Sequence, residues 1–440
     1  MAADVSNKNM FQRFLHSQVF GALILIATTI VALGWANSQW GQLYYDISHT
    51  YVGIKFGELE FKMTLSHWIK DGLMAIFFFV VGLEIKREIV VGELSTLDKA
   101  VLPVLAAVGG AVLPALLYVA FNLDSGALSG WGIPMATDIA FALGILAMFG
   151  KRVPLELKIF LTALAIADDL IAVAAIAVFY TPDLSVNMLL LSGVPLVLMV
   201  LMNRAGVRAT WAYSLLAFLI WVAVLLSGVH ATIAGVMVAL VVPVRPAMDP
   251  GQFIATTSSL LKEIDGPDNS LDALIHDSKR RNRLNQLGIT VEEAIPPGIA
   301  MEHRLHPLMG FVILPLFALF SAGVAFDAET FEGFPTAVSL GVIFGLVLGK
   351  PLGVLLTSWL VIRVAKPDLG GLTLPMLLGA GCLAGIGFTM AIFISELAYA
   401  SETLINQAKV GVLIASALAA LLGALVLHFS LPRRDSAAAQ

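Results

Sequence analysis

Charge and cysteine are the scarce residues of this chain. Of its 440 residues only 13% are Asp, Glu, Lys or Arg, about half of the ~25% usual in soluble domains, while 58% are hydrophobic. Mean hydropathy is +0.89. Such a composition excludes a solvated globular domain and calls for a lipid surround. The one cysteine, Cys382, lies in an apolar segment. That excludes an intrachain disulfide, a CxxC metal site and dithiol redox chemistry. The net charge of −5 is too small to imply a polyanionic partner, so no nucleic acid is expected, and nothing in the pattern requires a resident cofactor.

What is present is apolar sequence in long runs. A window of about twenty apolar residues crosses ~30 Å of hydrocarbon, and roughly twelve such windows recur, near 16–36, 66–90, 101–121, 127–149, 156–180, 186–203, 210–228, 230–245, 306–325, 337–362, 373–398 and 408–430. The first follows Lys8 and Arg13 with no clean small-x-small cleavage site, and reads as an uncleaved helix rather than a signal peptide. Alternate connections carry Lys86, Arg87, Lys151, Arg152, Arg204 and Arg208, whereas residues 122–129, 181–187 and 326–335 carry no Lys or Arg. The positive-inside rule then places both termini in the cytoplasm. The expectation is an all-α polytopic membrane protein forming one transport domain over 1–440. Residues 248–304 are expected as a long cytoplasmic loop with a short amphipathic helix around Ser270 to Leu284. Its basic run, Lys279, Arg280, Arg281 and Arg283, is either solvated or close to anionic headgroups.

Within this apolar background a few polar residues carry the chemistry. Asp168 and Asp169 are adjacent in the fifth window. One charge at that depth costs at least ~2.5–3.5 kcal/mol on insertion scales, so two carboxylates point to a cation or proton path rather than to stability. The plain alternative is a buried pair that ties helices together. Pro134, Thr137 and Asp138 interrupt the fourth window, and a proline that lacks its N–H predicts a helix break there. Gly385 and Gly387 soften the eleventh window, where glycine serves close packing and unwinding equally well. Windows three to five and ten to twelve are offset by seven, an odd number, so the two triplets run in opposite senses. That is the arrangement of an inverted repeat, with discontinuous fourth and eleventh helices crossing near mid-membrane. Like dipole ends would then meet, Asp138 compensating one set and Lys350 the other. Lys350 also needs a carboxylate partner. Successive helix positions diverge by ~100°, so one of the two aspartates can pair with it while the other lines a cavity.

A second cluster is expected at the cytoplasmic face, with Glu84, Arg87 and Glu88 ending the second window and Glu302 and His303 opening the ninth. It reads either as interfacial anchoring or, through histidine, as a group responsive to physiological pH. His230, on the opposite face, reads either as the cap of a tight turn or as a functional group.

Several of these stretches resemble the NhaA-type Na⁺/H⁺ antiporters. The resemblance lies in Trp68 to Phe78 continuing into Val81-Gly82-Leu83-Glu84-Ile85-Lys86-Arg87-Glu88, in Ala136-Thr137-Asp138-Ile139-Ala140, in Ala165-Ile166-Ala167-Asp168-Asp169-Leu170, in Ser227-Gly228-Val229-His230, in Gly349-Lys350-Pro351 and in Gly385-Ile386-Gly387-Phe388-Thr389. The motifs follow the family's order over nearly the whole chain. That family is itself a type example of inverted repeats with broken helices. The resemblance implies twelve helices, a bacterial inner-membrane location, electrogenic exchange of Na⁺ or Li⁺ for H⁺, activation at alkaline pH and a homodimer. It implies Asp169 as principal ion ligand, Asp168 as proton carrier and Lys350 as the partner of Asp168. Thr137 and Asp138 would belong to the crossing, with Pro134, Gly385 and Gly387 at the breaks. Glu84, Arg87, Glu88, Glu302 and His303 would sense pH. The long loop before Glu302 departs from the family's compact connection.

The chemistry can be put without the family. A carboxylate that exchanges a proton for a metal cation has to titrate near the working pH, whereas an unperturbed aspartate titrates near ~3.9. Burial penalises the charged form and so brings the two ligands into competition. Small hard cations want oxygen donors, which aspartates, Thr137 and freed carbonyls supply. Three other readings compete with this one. A sodium-coupled symporter would require an organic solute for sodium movement. An intramembrane aspartyl protease would lack both a Gly-x-Gly-Asp sequence and a role for Lys350. A cation channel would need a charged ring or carbonyl filter.

Overall fold

In a computed structural model of the chain, the structure describes residues 18–56, 59–180, 185–246, 248–265, 277–326 and 333–432. Both termini and the middle of the long loop, residues 266–276, lie outside the described residues. Helices dominate: α1 (Gln18–Ala36), α2 (Gly41–His49), α3 (Met74–Val90), α4 (Leu97–Asn122), α5 (Ile139–Met148), α6 (Leu155–Phe179), α7 (Val186–Arg204), α8 (Thr210–Leu226) and α9 (Thr232–Val241) make the first part. They are followed by α10 (Pro250–Ile264), α11 (Ser278–Ala294), α12 (Pro297–Leu308), α13 (Leu314–Ser321), α14 (Ala337–Phe344), α15 (Lys350–Ala365), α16 (Leu374–Ala384), α17 (Phe388–Ala398) and α18 (Glu402–Ser430).

All twelve apolar windows fall on helix. Among the described residues eight helices are long and apolar enough to cross a bilayer, nine if the bent pair α16 and α17 is counted as one span. The helices α8 and α9 are shorter apolar segments. The chain is therefore an all-α polytopic membrane protein.

Two differences from the sequence reading concern polar segments. Between the first two windows the chain forms an antiparallel hairpin, β1 (Tyr51–Phe56) with β2 (Leu59–Thr64), in register from Tyr51 opposite Thr64 to Phe56 opposite Leu59. Alternation over so few residues is invisible to a twenty-residue window. The long loop holds two helices, α10 and α11, each N-capped by an aspartate: Asp249 accepts from Gly251 N, and Asp277 from Lys279 N and Arg280 N. Helix α11 coincides with the second half of the amphipathic helix expected around Ser270 to Leu284, whose first half, through residue 276, lies outside the described residues. The ninth span starts at Pro297 rather than near 306, because proline suits the first helical turn and the polar face of α12 lowers its hydropathy without breaking it.

The helices pack in two groups. One gathers α4, α6 and α14 to α18, and here a Cβ on Gly353 would run into the backbone of Gly109, so glycine lets α4 and α15 approach closely. The other gathers α3, α7, α8 and α9 around Phe79, Leu83, Tyr213, Ile220 and Val238. Helices α1, α12 and α13 lie along the seam, where α1 meets α5 and α13, and α13 meets α17.

Candidate ion site at the crossing of two helix breaks

The first break follows the 3-10 helix Leu128–Met135, which contains Pro134. Ala136 is extended at φ −74°, ψ 147°, and regular helix resumes only after Asp138. The second break separates α16 from α17, whose axes are bent by 49°, with Gly385 and Gly387 between them. The two breaks lie close together at Gly387, where a Cβ would stand 3.2 Å from Ala136 O, while a Cβ on Gly385 would run into Leu346 O of the π-helical turn Gly345–Gly349.

Each break satisfies the other's freed backbone groups, as an apolar surround demands. Asp138 N donates to Ile386 O at 2.6 Å, and the Thr137 hydroxyl donates to Ala384 O at 2.7 Å. The Asp138 carboxylate accepts from Phe141 N at 3.1 Å through Oδ1. Through Oδ2 it accepts from Thr389 N at 3.2 Å and from the Thr389 hydroxyl at 2.5 Å. It thus sits on the N-terminal ends of both α5 and α17, where the helix dipole favours a negative charge.

Lys350 opens α15 directly after a π-helical turn, Gly345–Gly349, and is fully buried. Its Nζ donates to Asp168 Oδ1 at 2.6 Å and to Met135 O at the C-terminal end of the 3-10 helix. Asp168 and Asp169 are 1% and 2% exposed. Asp168 Oδ2 and Asp169 Oδ1 accept no hydrogen bond among the described residues. Two buried carboxylate oxygens therefore stand with ligand capacity unused, one beside a paired lysine and one without it.

A cavity of about 280 Å³ opens toward this crossing, lined among others by Glu84, Arg87, Ile139, Ala140, Ile166 and His306. Ile139 and Ala140 follow Asp138 directly, and Ile166 precedes Asp169 by one helical turn. At the polar end of the cavity Arg87 Nε meets Glu302 Oε1 at 3.1 Å and its guanidinium meets Glu88 Oε1 at 2.8 Å. His306 Nε2 lies 3.7 Å from Glu84 Oε1. The structure brings Glu84, Arg87, Glu88 and Glu302 together as one network. His303 is exposed and adds no ion pair to it among the described residues. Spacing alone distinguishes the two histidines: Glu302 and His306 are i and i+4 on one face of α12, and His303 is turned ~100° away. His230 receives its partner from afar, with Nε2 2.6 Å from Tyr180 O at the end of α6. Thr389, marked in sequence only as the end of the Gly385-to-Thr389 stretch, gives the crossing both its N–H and its hydroxyl.

A polytopic helical protein with six ionisable or hydroxyl side chains, Thr137, Asp138, Asp168, Asp169, Lys350 and Thr389, gathered where two helices are interrupted has the build of an ion transporter. Comparison with known proteins identifies which kind. The family model described as Na⁺/H⁺ antiporter 1 matches residues 12–427. The chain is 44% identical over 426 residues to the Na⁺/H⁺ antiporter NhaA of Oleidesulfovibrio alaskensis, covering 97% of this chain and 95% of that one. It is 43% identical over 422 residues to NhaA of Sulfurimonas denitrificans, covering 95% of each. With NhaA of Acidithiobacillus ferrooxidans it shares 44% identity over 425 residues, 94% of this chain and 96% of the other. The chain belongs to the Na⁺/H⁺ antiporter 1 family.

Proposed function

We propose that the protein exports Na⁺, and Li⁺ with it, in electrogenic exchange for H⁺, by competition of cation and proton for Asp168 and Asp169. The observation that carries this reading is the pair of buried carboxylate oxygens that accept no hydrogen bond among the described residues, placed against interrupted helices whose carbonyls and Thr137 can complete an oxygen cage. Asp169 is the principal cation ligand. Asp168, already neutralised by Lys350, carries a proton when that pair opens. If neither the empty nor the doubly loaded site reorients, competition alone couples the two flows. The Glu84, Arg87, Glu88 and Glu302 network at the cavity mouth, together with His306 and with His303 beside it, senses pH by biasing how α12 packs on α3.

The architecture that goes with this function is twelve spans in inverted repeat, the interrupted fourth and eleventh crossing near mid-membrane, in a bacterial inner membrane with both termini cytoplasmic. The family resemblance adds a homodimer. Everted vesicles with a proton-sensitive dye test the whole reading. Collapse of a proton gradient on adding Na⁺ or Li⁺, without an organic solute and more strongly at alkaline pH, is expected. A requirement for solute, or no response to either cation, overturns it.

A further inference from the structure

We propose that Lys70 and Glu396 form an ionic latch that keeps the transport path shut at the end away from the Glu84 cavity. The inference rests on the ion path proposed above. On α17 the residues Thr389, Phe393 and Glu396 follow at steps of four and three and so share one face of the helix. Thr389 belongs to the crossing. Phe393 packs on Phe78 of α3 at 5.6 Å between ring centroids and on Phe317 of α13 at 6.1 Å, and all three rings are buried. Beyond this aromatic plug lies a second cavity of about 410 Å³, bordered by Tyr44, Lys70, Asp71, His230, Glu396 and Lys409. Ion site, plug and latch thus form a column across the seam.

Two lysines hold Glu396, and they differ in where they are anchored. Lys409 Nζ lies 2.7 Å from Glu396 Oε1 and stands on α18, which packs on α17 and holds Phe388 N through the Ser416 hydroxyl at 3.1 Å. That pair stays within one helix group. Lys70 Nζ lies 2.9 Å from the same oxygen but belongs to the π-helical turn Trp68–Leu73. This turn is fastened to the other group, because Trp221 Nε1 of α8 donates to Asp71 O at 3.1 Å. Of these two pairs, that of Lys70 is the one that crosses the seam. Glu396 is only 7% exposed and Lys70 29%, so parting them exposes a desolvated charge pair. The path cannot open past Phe393 without parting them. The other charged neighbours, Asp71 with His67 at 3.9 Å and Glu402 at the start of α18, line the cavity but do not bridge to Glu396.

The test compares the two lysines. In the full chain in lipid nanodiscs, with Cys382→Ser, spin labels on Ser66→Cys and Ser401→Cys straddle the seam. Lys70→Gln is expected to add a longer component to the measured distance distribution. Lys70→Arg and Lys409→Gln should keep the parent distribution. In vesicles of both orientations Lys70→Gln should lower the apparent KM for Na⁺ on the latch side and raise it on the Glu84 side, each by roughly fivefold. An unchanged distribution in Lys70→Gln, or an equal change in Lys409→Gln, overturns the latch. If the parent protein shows no Na⁺-dependent exchange, the proposed function fails, while the distances still decide the latch.

Discussion

At the scale of single residues, the site separates two aspartates that are neighbours in sequence. Asp168 is committed to Lys350 and Asp169 is not, so their replacement should have different consequences. Asp169→Asn is expected to insert and fold normally yet to abolish Na⁺-dependent proton movement; exchange at the parent rate would remove it from the ligand set. Breaking a buried ion pair from one side leaves an uncompensated charge at a cost of ~3–5 kcal/mol. Lys350→Ala should therefore lower the unfolding temperature markedly, and adding Asp168→Asn should recover part of the loss. Strictly additive losses in that cycle would refute the coupling. Asp168, Asp169, Asp138 and Lys350 were legible in the sequence because each is costly in an apolar run and so identifies itself. Glu396 was equally costly but sits near the end of its window, where a carboxylate reads as interfacial. Only the chain's return brings Lys70 and Lys409 to it.

At the scale of elements, the two interrupted helices act as one part. The bonds from Asp138 N to Ile386 O, from Thr137 to Ala384 O and from Asp138 to Thr389 tie α5 to α17 across the breaks. Hydrogen bonds to a charged group contribute ~1.5–3 kcal/mol each. Thr389→Val should thus destabilise the protein by about that amount in thermal unfolding and weaken Na⁺ affinity, whereas Thr389→Ser should keep both near parent values. Equal behaviour of the two variants would show that the hydroxyl has no part in the crossing. Pro134 announced the first interruption in sequence, although helix fails two residues later, at Ala136 to Asp138, where the extended backbone leaves side chains free to reach α17. The glycines of the second were ambiguous because close approach and unwinding use the same residue. The hairpin and α10 went unseen and α11 was legible only in part, since their patterns are short and polar rather than set by long-range hydropathy.

At the scale of the molecule, the polar network lies where α12 meets α3, so its charge state bears on how two helices pack. Histidine changes charge nearest neutral pH, and His306 is the one facing Glu84. A shift of ~1.4 kcal/mol in a two-state packing equilibrium changes its constant tenfold. His306→Gln removes the imidazole that faces Glu84 and should move the pH midpoint of exchange. Glu302→Gln should move the midpoint as well, and His303→Gln should move it less than either. Exchange measured against pH for the three variants checks this, and superimposable profiles would leave the network as anchoring. The aromatic plug has a further consequence, and it is electrical. Filled with water, the cavities of about 280 Å³ and 410 Å³ on its two sides would carry a membrane potential inward from both faces. The voltage then drops mainly across the few side chains between them rather than across the ~30 Å of hydrocarbon. A charge moving the short distance past Phe393 would cross most of a field worth ~2.3 kcal/mol per 100 mV, so the plug sets where the membrane potential acts on the exchange cycle.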